Sequence, residues 1–213
     1  MDFCSIASGS SGNCIFIGSE RSSLLVDAGI SGKRITEGVH GIDRKLSELD
    51  GILITHEHTD HIQGLGVLAR KYGIPVFATA GTLQAIKINT SLGKIEPGLL
   101  HEIREDEAFM LNDLRVQPFR ISHDAAQPVG YRISCGTKHV AVATDMGCYN
   151  NYVVENLKGL DALLLEANHD VNMLQVGKYP YPLKQRILSK KGHLSNENAG
   201  RLLCEILHDG LKS

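Results

Sequence analysis

Apolar residues in this chain come in short bursts, and the spacing inside each burst separates strands from helices. Runs at residues 3–7, 13–18 and 22–27 are continuous or alternating and are bounded by turn-forming residues, which predicts three strands at the amino end. A weaker helical pattern covers 31–50, and Gly51-Ile52-Leu53-Ile54-Thr55 reads as another strand. Ile62, Leu65, Leu68, Ala69 and Tyr72 then recur at helical spacing, so a helix starts at Asp60 and His61 and ends at Tyr72. Downstream the pattern predicts a strand over 75–78, a helix over 81–88 and a loop over 89–100. Strands follow at 108–110, 114–120, 129–134 and 139–144, then a helix at 152–157, a strand at 162–166 and a last helix at 196–207. No short-period repeat or low-complexity tract interrupts this order. Strands flank helices in two αβ halves of one domain, roughly 1–110 and 111–213. The expected fold is α+β, with two mixed sheets packed face to face and helices outside, a four-layer αββα arrangement.

Composition narrows the function classes. With 213 residues, 42% of them hydrophobic, the chain can bury a sizeable core. A net charge of −2 announces neither a nucleic-acid binder nor a membrane-surface protein. No charged-then-apolar leader and no apolar run of bilayer length is seen, so the expectation is a soluble, cytoplasmic protein without a membrane partner. Cys4, Cys14, Cys135, Cys148 and Cys204 are scattered and form no C-x-x-C pair. They read as packing residues in a reducing compartment; a metal role for Cys14 or Cys148 is the weaker alternative.

The chemistry concentrates in His56-Glu57-His58-Thr59-Asp60-His61, directly after the strand at 51–55. Alternate residues of an extended segment share a face, so His56 and His58 can hold one ion. Asp60 and His61, at the start of the helix, can then face a second ion beside it. Imidazole with carboxylate suits zinc or manganese. His123 and Asp145 each stand just after a strand, where His123 can complete a three-histidine set and Asp145 can bridge both ions. Near the amino end, Ser8-Gly9-Ser10-Ser11-Gly12 is either a nest whose N–H groups and hydroxyls, those of Ser10 and Ser11 included, take an anion, or a plain hairpin turn.

The set His56, His58, Asp60, His61, His123 and Asp145, with Asp27 closing an earlier strand, resembles the metallo-β-lactamase-fold hydrolases. Asp27 matches the acidic residue that supports the metal loop in that fold without binding metal. The segments SGSSGNC, HEHTDH, ISHDA, EANHD and GHLSN resemble more closely the YycJ/WalJ group of bacterial enzymes, over essentially the whole chain. The resemblance implies a double-strand-specific 5′→3′ DNA exonuclease, related to ribonuclease Z and to cyclic phosphodiesterases and associated with repair of mismatched DNA. It implies two divalent metal ions, Zn²⁺ or Mn²⁺, a metal-bridging hydroxide oriented by Asp60, and catalytic elements at Glu166, His169 and His193. His193 can donate a proton to the leaving group, bind phosphate or ligate the second metal.

Residues 171–196 carry Lys178, Lys184, Arg186, Lys190 and Lys191 and no acidic residue, a local reversal in an acidic chain. With Tyr179 and Tyr181 among prolines, the stretch reads as a loop that tracks a nucleic-acid backbone through Lys184, Arg186, Lys190 and Lys191 and offers a stacking surface. These cations, read as uncompensated, favour a nucleic-acid substrate over a small phosphodiester or thioester. A non-catalytic metal protein that binds nucleic acid is the remaining alternative. His40, His101, His139 and His208 have no such context. The group's members continue past the last helix into a strand with a second His-Leu-Ser, whose histidine closes the second metal site. This sequence ends at Ser213, so that strand and its helix are expected to be missing. The second ion would then keep only Asp60, His61 and Asp145 and bind more weakly, with a strand edge left uncovered.

Overall fold

The structure, a computed structural model, describes residues 1–211. Six strands form the first sheet in sequential order: β1 (Asp2–Ala7), β2 (Cys14–Gly18), β3 (Ser23–Val26), β4 (Gly51–Leu53), β5 (Val76–Thr79) and β6 (Leu100–Ile103). The first three pair antiparallel and the next pairs are parallel. Each parallel pair needs a crossover, and helices provide it: α1 (Gly32–Gly41), α2 (Thr59–Ile62) with α3 (Leu65–Tyr72), and α4 (Ala80–Ile88). The second sheet is ordered β11-β10-β9-β8-β7, built from β7 (Phe109–Leu111), β8 (Leu114–Arg120), β9 (Val129–Cys135), β10 (Lys138–Ala143) and β11 (Ala162–Leu165). Its one parallel pair, β10 with β11, is bridged by α5 (Asn151–Leu157).

Period-two patterning explains the layers. Along β2, Ile15 and Ile17 face the second sheet while Cys14 and Phe16 face the helices; Leu24 and Val26 oppose Leu25 in the same way on β3. Ile15, Ile17, Val26 and Leu53 meet Val116, Val129, Tyr131 and Val142 between the sheets. Ile35, Val39, Leu65, Leu68, Leu83 and Ile86 cover the outside of the first sheet. The outside of the second is covered by α5 and by α8 (Asn196–Ile206), through Val153, Val154, Leu157, Ala199 and Leu202. This is the four-layer αββα metallo-β-lactamase fold. No helix among the described residues is long and apolar enough to cross a membrane.

Four expectations change. The helix expected over 31–50 ends at Gly41, because Asp43 adopts a left-handed φ of 56° and only a 3-10 turn, Leu46–Glu48, follows. The helix expected over 60–72 breaks into two around Gly64, whose backbone packs against Ile30 so closely that a Cβ there would lie 2.4 Å from its carbonyl oxygen. The loop expected over 89–100 ends in a strand, β6, whose exposed His101 and Glu102 hide it from an apolar-run search. Residues 171–196, expected as a loop, contain α6 (Val171–Val176), capped by Asp170, and α7 (Tyr181–Leu188), with proline in its first turn.

At the far edge, β11 has only β10 as a partner among the described residues. An apolar cavity of about 470 Å³ lies between β11 and α8, lined by Leu163, Leu165, Ala199, Leu203, Leu207 and Leu211. The point where a further strand was expected to begin includes Lys212 and Ser213, outside the described residues.

Candidate active site

The strand ends of both sheets converge on one cleft of about 610 Å³, which His58, Asp60, Asp145, Glu166 and His193 line and beneath which Asp27, His56, His61 and His123 are buried. From the first sheet come Asp27 after β3 and the histidine run after β4. From the second come His123 after β8, Asp145 after β10 and Glu166 after β11. Two links bind the halves here: Val129 donates its N–H to the Thr55 carbonyl at 3.0 Å, and the Tyr131 hydroxyl donates to the Ile54 carbonyl at 2.7 Å.

His56, His58 and His123 converge. His58 Nδ1 lies 3.1 Å from His56 Nε2 and 3.2 Å from His123 Nε2. His123 donates Nδ1–H to the Gly192 carbonyl at 3.0 Å, which leaves its Nε2 as a lone pair facing the other imidazoles. Burial holds the pKa of His56 well down, and burial likewise lowers that of His123. With His56 Nε2, His58 Nδ1 and His123 Nε2 turned on one another, the three imidazoles form a donor set for a cation.

His61 starts the second set. It donates Nδ1–H to Asp27 Oδ2 at 2.8 Å, so its Nε2 is the atom 2.9 Å from Asp145 Oδ2. Burial alone would lower the pKa of His61, but Asp27 and Asp145 carry it up to about 10. Burial would likewise raise Asp145, yet hydrogen bonds from His193 and His61 hold its carboxyl far below the usual range. Unless a proton or a cation lies between them, the Nε2 lone pair and the carboxylate repel, so the donors fit a metal here too. The donor groups close enough to share an ion are His56–His58–His123, His56–His61–Asp145 and Asp145–Glu166–His193. Asp60 belongs to none of them; its carboxylate is 3.8 Å from His61 Nε2, and its side chain is 35% exposed at the rim. No cysteine takes part: Cys14 packs in the outer core, where burial raises its thiol pKa.

Asp27 is a hub beneath these sets. It accepts from the Thr55 N–H at 2.8 Å and from the Thr55 hydroxyl as well as from His61. Gly29 follows closely, and a Cβ there would lie 1.6 Å from the Asp60 carbonyl oxygen, so only glycine lets the chain pass. Glu166 does the equivalent work opposite, accepting from the Met146 and Leu194 N–H groups and from His193 Nδ1 at 2.6 Å. Asp145 first and then Glu166 raise the pKa of His193 to about 10. His169 sits behind the cleft, bridged to Ser195, with its Nε2 buried and unpartnered.

The basic segment is not as free as its composition suggested. Of Lys184, Arg186, Lys190 and Lys191, only Arg186 lines the cleft, and Asp124 takes it in two contacts of 2.5 and 3.1 Å. Lys184 donates to the Gln175 carbonyl. Ser10 lines the cleft and Ser11 lies beside it, exposed, in a loop where Gly9 N–H already donates to Asn13. Asn13, Thr55 and Asp124 are the residues the sequence reading missed. Asn13 Nδ2 lies 3.1 Å from His61 Nε2, and Asp124 Oδ1 lies 3.3 Å from His123 Nε2. Adjacency was the available signal for the last two, since Thr55 precedes His56 and Asp124 follows His123.

Residues 23–208 match the family described as the beta-lactamase superfamily domain. The chain is 43% identical over 207 residues to the exodeoxyribonuclease WalJ of Streptococcus pneumoniae, covering 97% of this chain and 77% of that protein. It is 38% identical over 220 residues to the exodeoxyribonuclease YycJ of Bacillus anthracis, covering all of this chain and 80% of that one. Among solved structures, the short form of human tRNase Z superposes with a TM-score of 0.72 at 18% identity, covering 97% of this chain and 88% of that one. At that identity the likeness concerns the fold.

Proposed function

The chain belongs to the β-lactamase superfamily and, within it, to the family of the WalJ and YycJ exodeoxyribonucleases, and from that premise we propose that it is a metal-dependent nuclease, a 5′→3′ exonuclease acting at the ends of double-stranded DNA. The observation that carries this reading is the pair of adjoining donor sets that share His56, one made with His58 and His123 and one with His61 and Asp145. Two sets of imidazole and carboxylate suit two divalent ions, zinc or manganese. When bound, such ions supply Lewis acidity at the phosphoryl oxygens and lower the pKa of a coordinated water.

The chain's own groups do the rest. Asp145 belongs to the second donor set and joins it to the neighbouring cluster of Glu166 and His193. Asp60, at the rim, orients the attacking water in line with the leaving oxygen. His193, kept protonated by Asp145 and Glu166, gives its proton to that oxygen. Asp27 and Thr55 fix the tautomer and tilt of His61, the outer-layer support a ligating imidazole needs. Glu166 ties the strand-end loops of Asp145 and His193 together, and His169 backs that corner. Ser10, Ser11 and Arg186 at the rim, with Lys184, Lys190 and Lys191 beyond it, contact successive phosphates.

The test is the purified chain, loaded with Mn²⁺ or Zn²⁺, on end-labelled duplex DNA, single-stranded DNA and RNA. Early release of a 5′-terminal label from duplex, stopped by a chelator, is the expected result. Hydrolysis of a cyclic phosphodiester or a thioester with no attack on any nucleic acid would replace this reading with a small-molecule hydrolase.

A further inference from the structure

The hairpin formed by α6 and α7 is built unlike the rest of the molecule. Only Leu174 is buried in its two helices, and α7 buries nothing. Met173, Val176, Tyr179 and Tyr181 are 73%, 85%, 58% and 71% exposed, the densest group of exposed large apolar side chains among the described residues. Pro180 and Pro182 flank Tyr181 and stiffen the tip. Its base, by contrast, is pinned to the site: His169 bridges to Ser195, Arg186 pairs with Asp124, and the Gly192 carbonyl accepts from His123. Hence the apolar tip is carried at a set place beside the cleft.

What this tip fits follows from its surroundings. No acidic residue occurs over 171–196; Lys178 adjoins Tyr179, Lys184 follows Tyr181 within α7, and Lys190 and Lys191 stand in the turn after α7. A partner that presents flat apolar faces and a row of negative charges within a few ångströms of one another matches both features, and a nucleic-acid end is such a partner. Tyr181 precedes Arg186 by five residues of α7, roughly 7.5 Å along the axis. That is about two nucleotide steps of about 3.4 Å from the mouth of the cleft. At the cleft, His56 is fully buried and His123 is 3% exposed. The donors thus lie at the floor of the cleft, which a single strand enters with less obstruction than a full duplex end.

We propose that the α6–α7 hairpin is an end-opening platform, on which Tyr179 and Tyr181 stack against the last base pair of a duplex and hold it apart so that one strand passes to the metal site. This rests on the nuclease reading above and adds how the substrate end is prepared. Met173 and Val176 extend the apolar face, and the lysines hold the phosphates of both strands as they diverge. The stacking needs the ring and not the hydroxyl.

The test compares two duplexes of one sequence, one fully paired and one with two mismatched pairs at the 5′ end, using the metal-loaded protein. Tyr179→Ser with Tyr181→Ser should slow digestion of the paired end about 5- to 100-fold, the range expected for lost base–aromatic stacking. The mismatched end should restore most of the rate, and Tyr179→Phe with Tyr181→Phe should digest both duplexes as the unmodified protein does. Equal slowing on both duplexes, or none on either, overturns the proposal; the latter outcome frees the patch for a protein partner. If the unmodified protein hydrolyses a chromogenic phosphodiester but neither duplex, the nuclease reading itself has failed.

Discussion

Asp27 and Asp145 stand at the same topological point of the two sheets. Each follows a strand that runs antiparallel to its predecessor and parallel to its successor, β3 in one half and β10 in the other. Both adopt left-handed backbone, with φ of 62° and 54°, a conformation aspartate tolerates better than most residues. Their surroundings differ. Asp27 is fully buried, and Thr55 and His61 occupy both of its oxygens. Asp145 lines the cleft and faces His61 Nε2 and His193 Nδ1. One backbone device therefore yields a carboxylate buried beneath the cleft in one half and a carboxylate lining it in the other. The next parallel strand decides which, because β4 runs straight into the histidine loop, whereas β11 runs into Glu166 and the exposed hairpin.

The largest expected effect breaks the working side. Asp145→Ala or His58→Ala should reduce hydrolysis by well over about 100-fold and lower bound metal on elemental analysis, since each removes a direct donor and outer supports alone are worth about 10–100-fold. An Asp145→Ala protein that kept both ions and full activity would remove Asp145 from the site. Asp60→Asn should retain part of the metal and lose turnover by about 10²–10⁴-fold, the scale of a misplaced acid–base group; the readout is kcat beside metal content.

On the supporting side the order of effects should reverse. Asp27→Ala leaves the Thr55 N–H and His61 buried without their partner, so it should cost about 3–5 kcal/mol in denaturant unfolding. Metal affinity should fall about 10–100-fold. If Asp27→Ala and Asp145→Ala destabilised the chain equally, the distinction between the two carboxylates would collapse.

A smaller effect appears on metal removal. In the chelated protein His61, against the pull of burial, is raised to about 10 by Asp27 and then Asp145, and His193 is raised to about 10 by Asp145 and then Glu166. Both values exceed the ~6.5 of an unfolded histidine. Between these limits the folded chain binds more protons, so the stabilisation is complete below about 6.5 and is lost as pH rises toward about 10. The melting temperature of the chelated protein should fall over that window, and less steeply in Asp145→Ala. Metal loading should release protons, detectable by calorimetry in buffers of different ionisation enthalpy. Last, Lys190→Glu with Lys191→Glu should reduce the slope of log affinity against log salt by about 0.9 per lost phosphate contact, with hydrolysis of a small diester unchanged. An unaltered slope would return the turn after α7 to ordinary solvated surface.

The half built on the first sheet was the more legible of the two. Its strands β2 to β5 are mostly apolar runs because both faces are covered, and its candidate donors lie within six residues of one another at spacings that one local conformation satisfies. His123 and Asp145 were readable as candidates through their positions at strand ends, though not through any spacing between them, and Glu166 only through the family resemblance. The second half hid more. There α6 and α7 have almost no buried stripe, and in the first half β6 carries His101 and Glu102 exposed, so neither hydrophobic period marks these elements. The Arg186–Asp124 pair joins residues 62 positions apart, and composition alone counted that arginine as free.

The sequence by itself determined which chemistry is present: imidazoles and carboxylates alternating out of an apolar strand, and aspartates where strands stop. These are local facts, governed by the two-residue and 3.6-residue periods of the backbone. Only the tertiary structure decided which donors come within reach of one another, which partners hold each aspartate, and which cations are paired. Those outcomes depend on groups from distant strands meeting within about 3 Å at the junction of two sheets, and on whether the meeting point is dry enough for a charge to need a partner.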